Sequence, residues 1–163
     1  MPPVQLGDAT VAFIEREVAI DLGACDAQQR PSTCRGFACR VAPDRQRLTI
    51  CVRRPEALPL LQAVVAQDQL AVVFCLPETE VSLQLKGRHV GIAAASAEEI
   101  ARVREYCVHF VEGVTRLGFE RAFAEAYMAI DPAQMVALSF TVEAVFDQTP
   151  GPQAGRHKEE AAA

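Results

Sequence analysis

Residues 33–52 read Thr33-Cys34-Arg35-Gly36-Phe37-Ala38-Cys39-Arg40-Val41, then Ala42-Pro43-Asp44-Arg45-Gln46, then Arg47-Leu48-Thr49-Ile50-Cys51-Val52. The outer runs are rich in β-branched, aromatic and small apolar residues, as strands are. The break between them carries Pro43 and Asp44, which suit a type I turn. The stretch therefore predicts a β-hairpin with strands over 33–41 and 47–52.

Downstream, Pro59 fits the first position of a helix better than its interior, so a helix is expected over 59–66, with Leu60, Leu61, Val64 and Val65 on one face. Residues 69–76 form an apolar run of strand type, closed by the polar turn 77–80. Val81, Leu83 and Leu85 then alternate with Ser82, Gln84 and Lys86, which is the period of a half-buried strand. That strand is expected to continue to residue 94, with Gly87 marking a bulge. Ser96 and Glu99 form a capping box, and Ile100, Val103, Cys107, Phe110, Val111, Val114 and Leu117 follow at helical spacing. Gly118 predicts a left-handed stop. A second helix is expected over 119–128, broken by Asp131-Pro132, and a long last strand over 135–146.

Upstream, a short helix is expected over 10–17 with Thr10 as its cap, a strand over 18–22 and a loop over 23–32. Six mostly antiparallel strands with one-sided alternation favour a small closed barrel, because closure leaves no edges. The chain is thus read as mainly β with α: a six-stranded antiparallel barrel with flanking helices. One domain is expected over 1–149. A Pro/Gly-rich tail follows over 150–163, polar and frayed from His157 onward.

Composition narrows the function. The 163 residues are 50% apolar and 23% charged, which excludes a disordered chain. The apolar runs are too short to span a bilayer as a helix, so no membrane role is expected. With 16 Lys+Arg against 21 Asp+Glu the net charge is −5, which argues against a nucleic-acid partner. The first residues have neither a basic start nor an apolar core, so a cytoplasmic, reduced protein is expected. The six cysteines contain no C-x-x-C pair, and several lie in apolar strand runs, so they read as inert thiols, Cys25 and Cys34 being nearest to loops. Glycine-rich phosphate loops, the nucleophile elbow and the zinc-protease helix are all absent. His89, His109 and His157 show no metal-ligand spacing. No metal is expected.

What remains is basic. Arg35 and Arg40 lie in one strand of the hairpin, and Arg53-Arg54 close the other just ahead of a helix start. Guanidinium groups grip phosphate through paired hydrogen bonds, and a helix N-terminus adds backbone donors. The cluster points to an anionic ligand; the alternative is a set of solvated charges that protect a sheet edge.

On these pieces the chain resembles the pyridoxamine 5'-phosphate oxidase-like, FMN-binding split-barrel family. Residues 30–40 resemble its Pro-Ser-x-Arg strand along the flavin, residues 48–54 the strand leading to the phosphate turn, and residues 81–88 a strand ending in Gly-Arg. Residues 145–155 are similar to a tail found in a bacterial subgroup. The resemblance implies a split barrel, FMN as cofactor, a small-molecule substrate and a homodimer with the flavin slot between subunits. It implies that Arg35, Gly36, Phe37, Ala38 and Cys39 line the flavin ring, that Arg40, Arg53 and Arg54 hold the phosphate, and that Ser82 replaces the oxidase's glutamine near the cofactor. The chain departs from the oxidase where it reads Arg-Arg-Pro-Glu in place of Ser-Arg-Lys at the phosphate turn, and it has no tryptophan. Oxidation of the vitamin itself is therefore not expected. The reading is an FMN-dependent oxidoreductase; the alternatives are a non-catalytic flavin-binding or sensing module and a haem- or deazaflavin-binding relative. No side chain is assigned as a general acid or base. Replacing Arg53 and Arg54 together by alanine is expected to weaken FMN binding by more than about tenfold, as read by flavin fluorescence titration.

Overall fold

The computed structural model describes residues 3–158. Along the chain run α1 (Asp8–Ile14), β1 (Ala19–Cys25), β2 (Pro31–Val41), β3 (Arg47–Arg53), α2 (Arg54–Gln67), β4 (Leu70–Cys75), β5 (Ser82–Ala94), α3 (Ala97–Arg116), α4 (Arg121–Met128) and β6 (Met135–Asp147). The six strands close into an antiparallel barrel in the order β1-β2-β3-β6-β5-β4. The expected six-stranded barrel with flanking helices is the fold observed.

Alternation builds the interior. Ile20 and Leu22 from β1, Leu48, Ile50 and Val52 from β3, Val72 and Phe74 from β4, Leu85 from β5 and Leu138 and Phe140 from β6 are all buried. Each such side chain contributes about 1.5–3 kcal/mol of burial. Helix α3 opens with the capping box read from the sequence: the Glu99 amide donates to Ser96 Oγ at 3.2 Å, and the Ser96 amide to Glu99 Oε2 at 2.7 Å. Gly118 after α3 has φ +99°, as its left-handed role required. The register between β5 and β6 shifts at Lys86/Gly87, the bulge that Gly87 signalled.

Several boundaries differ from the sequence reading. Helix α2 starts at Arg54, well before Pro59, which lies inside it. Pro55 sits at the second helical position, where no intrahelical N–H is needed, and Pro59 forfeits one backbone bond. The burial of Ala57, Leu60, Leu61 and Val64 offsets that loss. Helix α1 begins at Asp8 behind Gly7, and Thr10 is a buried residue of the helix rather than its cap. The 23–32 loop shrinks, because β1 runs to Cys25 and β2 starts at Pro31; Asp26 closes the tight turn by accepting from the Gln28 and Arg30 amides. The tail is tied down as far as Lys158: the Lys158 amide donates to Val145 O at 2.8 Å, and His157 stands edge-on to Phe146 with ring centres 5.4 Å apart. The fraying expected beyond that falls on residues 159–163, outside the described range.

Gly87 has a steric role as well. A Cβ at this position would run into the carbonyl oxygen of Thr141, a backbone atom of β6 that cannot rotate away. Gly87→Ala is expected to lower stability by about 3 kcal/mol in denaturant unfolding. Gly113→Ala, in α3 with only the Arg116 guanidinium near at 3.8 Å, is expected to raise it by about 0.5–1 kcal/mol.

Candidate functional site

The β2–β3 register pairs Gly36 with Val52. One step outward, Arg35 and Arg53 become cross-strand neighbours on the same face. Gly36 points the other way, into the barrel, where an added Cβ would lie 2.7 Å from Ile20 and Leu22 and 3.0 Å from Ile50. The arginines therefore occupy the outer wall. On the other side Arg35 pairs with Asp21 of β1.

Helix α3 covers this wall. The Arg35 guanidinium donates from Nη2 to Tyr106 Oη at 3.1 Å and lies 4.7 Å over the Phe110 ring. Tyr106 in turn donates to the Val18 carbonyl at 2.6 Å and stacks on Phe110. Burial pushes the Tyr106 hydroxyl well above the usual phenol range, against the opposing pull of Arg35. Arg53 lies 4.8 Å over the Phe37 ring and donates from Nη1 to the Ala129 carbonyl at 3.1 Å, after α4. Its Nε stands 3.2 Å from Glu56 Oε2. That ion pair is made without an aligned hydrogen bond, so the Nε–H of Arg53, like that of Arg35, is buried with no acceptor.

Two like charges side by side on a sheet repel. Here two aromatic faces, a tyrosine hydroxyl, a carbonyl and one half-exposed carboxylate hold them in place, and two donors are left over. Cys107 of α3 feels both guanidinium groups, yet burial pushes its thiol up to about 11. It also lines an opening of about 240 Å³ between α3 and α4, with Val111, Arg121 and Met128.

The other residues singled out in the sequence are placed as follows. Ala38 is the bulged residue between Phe37 and Cys39, has φ +55° and is left out of the β3 ladder. With Cys39, Tyr106 and His109 it lines a recess of about 170 Å³. Phe37 and Cys39 are buried. Arg40 pairs across from Thr49, four residues along β3 from Arg53 and so about 13 Å away; it faces Glu99 of the α3 cap at 3.7 Å. Arg54 is exposed at the first position of α2. Ser82 is not near the arginines in one chain: it lies on β5, three strands from β2 in either direction round the barrel. Its hydroxyl donates to Glu80 O at 2.8 Å and its amide to Thr149 Oγ1 at 3.1 Å, so the tail seals it. The structure thus joins Arg35 to Arg53 and separates Arg40 and Ser82 from them.

Tyr106 and Glu56 were not found by sequence reading. Tyr106 lies four residues before Phe110 on the buried stripe of α3, a spacing that could have flagged it. The cysteines are in the state expected of inert thiols where burial acts on them. Cys34 and Cys51 are pushed up to about 12, and Cys39 higher still. Cys25 is exposed. Among the described residues no group of side chains could hold a metal ion, and no helix is long and apolar enough to cross a membrane.

No family model matches the chain, and no curated protein matches it in sequence. Solved structures share its fold. HupZ of Group A Streptococcus superposes with a TM-score of 0.54 at 14% identity, over 92% of this chain and 99% of that one. A Lactobacillus delbrueckii protein named as a candidate pyridoxamine 5'-phosphate oxidase gives 0.53 at 9% identity, over 87% and 93%. An F420 reductase gives 0.50 at 12%, over 82% and 93%. At such identities the likeness establishes a shared barrel, the one expected from the resemblance.

Removing the Tyr106 hydroxyl tests how firmly α3 is bound to this wall. Tyr106→Phe leaves the Val18 carbonyl without its donor and is expected to cost about 1–3 kcal/mol in denaturant unfolding, with no loss of packing area.

Proposed function

We propose that the chain binds FMN on the outer wall of the barrel and acts, as a homodimer, as a flavin-dependent oxidoreductase on a small molecule. The observation that carries the reading is the pair of buried Nε–H donors on adjacent Arg35 and Arg53, neither of which makes a hydrogen bond, Arg53 having only a poorly aligned ion pair with Glu56. A buried donor without an acceptor is costly, and a charged one more so. A phosphate dianion supplies both acceptors and charge, and guanidinium is the group best shaped to hold it. The donor set therefore fits the anionic end of a mononucleotide.

Arg35 and Arg53 would hold the phosphate, with Arg54 at the exposed start of α2 adding a third cation. Ala38, free of the β3 ladder and set in the recess with Tyr106 and His109, offers backbone groups to the polar edge of a ring. Bound FMN would accept and donate hydride, so the chain's own task is to bind, orient and exclude water. Ser82 takes no part in this wall, because the barrel holds β5 opposite β2 and the tail covers its hydroxyl. The shared barrel with a candidate pyridoxamine 5'-phosphate oxidase and an F420 reductase supports the reading at the level of fold.

Fluorescence titration of the purified protein with FMN is the test. Saturable quenching is expected, weakened at least about tenfold in Arg35→Met, with Arg47→Met as a control on an exposed Arg47–Asp44 pair. Protein that ignores added FMN, or an Arg35→Met variant that is folded by circular dichroism and titrates like wild type, overturns the assignment. Anaerobic addition of NADH or NADPH to the flavin-loaded protein separates an enzyme, which bleaches, from a binding module, which does not.

A further inference from the structure

Strand β5 outlasts its neighbour. β4 begins at Leu70, opposite Gly87, so beyond that point β5 is hydrogen-bonded only to β6, through Gly91↔Ser139, Ile92↔Leu138, Ala93↔Ala137 and Ala94↔Val136. The Ala95 amide donates to Met135 O. Backbone groups alternate sides along a strand, so Gly91 and Ala93 also turn theirs toward β6, whereas Val90, Ile92, Ala94 and Ser96 turn theirs outward. Two of those four outward amides are capped. The Val90 amide donates to Asp68 Oδ1 at 2.8 Å, and the Ser96 amide to Glu99 Oε2 at 2.7 Å. The amides of Ile92 and Ala94 remain open on the free edge.

The side chains here do nothing to blunt that edge. Residues 91–95 are Gly-Ile-Ala-Ala-Ala, without charge or proline, and Gly91, Ile92, Ala93 and Ala94 are exposed. An open edge of this kind is a template for another strand unless it is covered. The carboxylate caps at each end limit the ladder to the two amides between them.

We infer that this edge pairs with the same edge of a second copy, antiparallel, about a two-fold axis at Ala93. In that register Ile92 of each chain exchanges both backbone bonds with Ala94 of the other, which uses both open amides and neither capped one. The same register sets the Arg88 end of one strand beside the Ser96–Glu98 corner of its partner. The two ends carry opposite charges, Lys86 and Arg88 against Glu98 and Glu99; Arg88 and Glu98 are exposed, at 44% and 80%, and their pairs within the chain, with Glu143 at 3.6 Å and Arg102 at 3.8 Å, are long surface pairs. Self-pairing therefore joins unlike charges, as a symmetric interface must if it is to be stable. The small side chains allow close approach. The inference rests on the two-subunit reading of the cleft, and assigns the surface through which the subunits meet.

Sedimentation equilibrium and oxidative crosslinking test it. Wild type is expected to be a dimer. Ala94→Pro removes an outward N–H that β6 does not use, and is expected to weaken dimerisation at least about tenfold. Arg88→Glu and Glu98→Arg should each weaken it, and the double reversal should recover most of the loss, which a merely misfolded variant would not. Across a non-hydrogen-bonded pair the α-carbons lie about 4.5 Å apart, within disulfide reach. Ala93→Cys in a Cys25→Ser background should therefore crosslink to a dimer on mild oxidation. If wild type is dimeric but Ala94→Pro and the charge variants dimerise unchanged and Ala93→Cys stays uncrosslinked, the β5 edge is overturned as the interface while the two-subunit cleft stands. If wild type is monomeric, both fall, and FMN titration of the monomer reports separately on flavin binding.

Discussion

Closure of the six-stranded ladder is the constraint on which the rest of this protein depends. Once β1 is hydrogen-bonded to β4 and β6 to both β3 and β5, each strand has one face inside and one outside. The interior is filled with Ile, Leu, Val and Phe and admits no charge. Every arginine on a strand must then lie on the outer wall, and any that is to be buried must be covered by something else. Even single contacts are governed by closure: Gly87 lacks a side chain because β6 runs directly behind it.

Helix α3 is the cover, and its chemistry explains the character of the site. It lays Tyr106 and Phe110 over Arg35, while Arg53 beside it lies over Phe37 and faces Glu56 and the Ala129 carbonyl. An aromatic face attracts a cation without neutralising it. Arg35 thus keeps its Nε–H donor unused, which a carboxylate from the helix would have consumed, whereas Arg53 has Glu56 beside it. Arg40, by contrast, faces Glu99 at the start of the same helix and belongs to its cap. The difference between these arginines lies in what α3 presents at each turn.

The barrel also decides which residues can share a wall within one chain. Ser82 and Arg35 stand on opposite strands, and no movement short of opening the ladder brings them together. The β5 that carries Ser82 runs past the end of β4 and is hydrogen-bonded on that stretch only to β6. The one-sided pairing of this stretch follows from β5 being longer than β4.

The residues alone determined the local pieces. Ser96 and Glu99 announced α3, Gly118 its stop and Gly87 the bulge in β5, each a preference of a few neighbouring residues that tertiary packing left intact; the alternation over residues 81–86 held for Leu83 and Leu85, while Val81 lies exposed ahead of β5 and Ser82 is buried under the tail. The start of α2 was misread because Pro59 is unfavourable only until the burial of Leu60, Leu61 and Val64 is counted, and that burial is a tertiary quantity. The concentration of arginine was legible as a chemical signal, but not its grouping. Arg35 and Arg53 are 18 residues apart, and what makes them one site is a register, a face and a helix laid across it. The separation of Ser82 is likewise a matter of strand order. Propensity and period are written in adjacent residues; the sharing of a wall is decided only when the ladder closes.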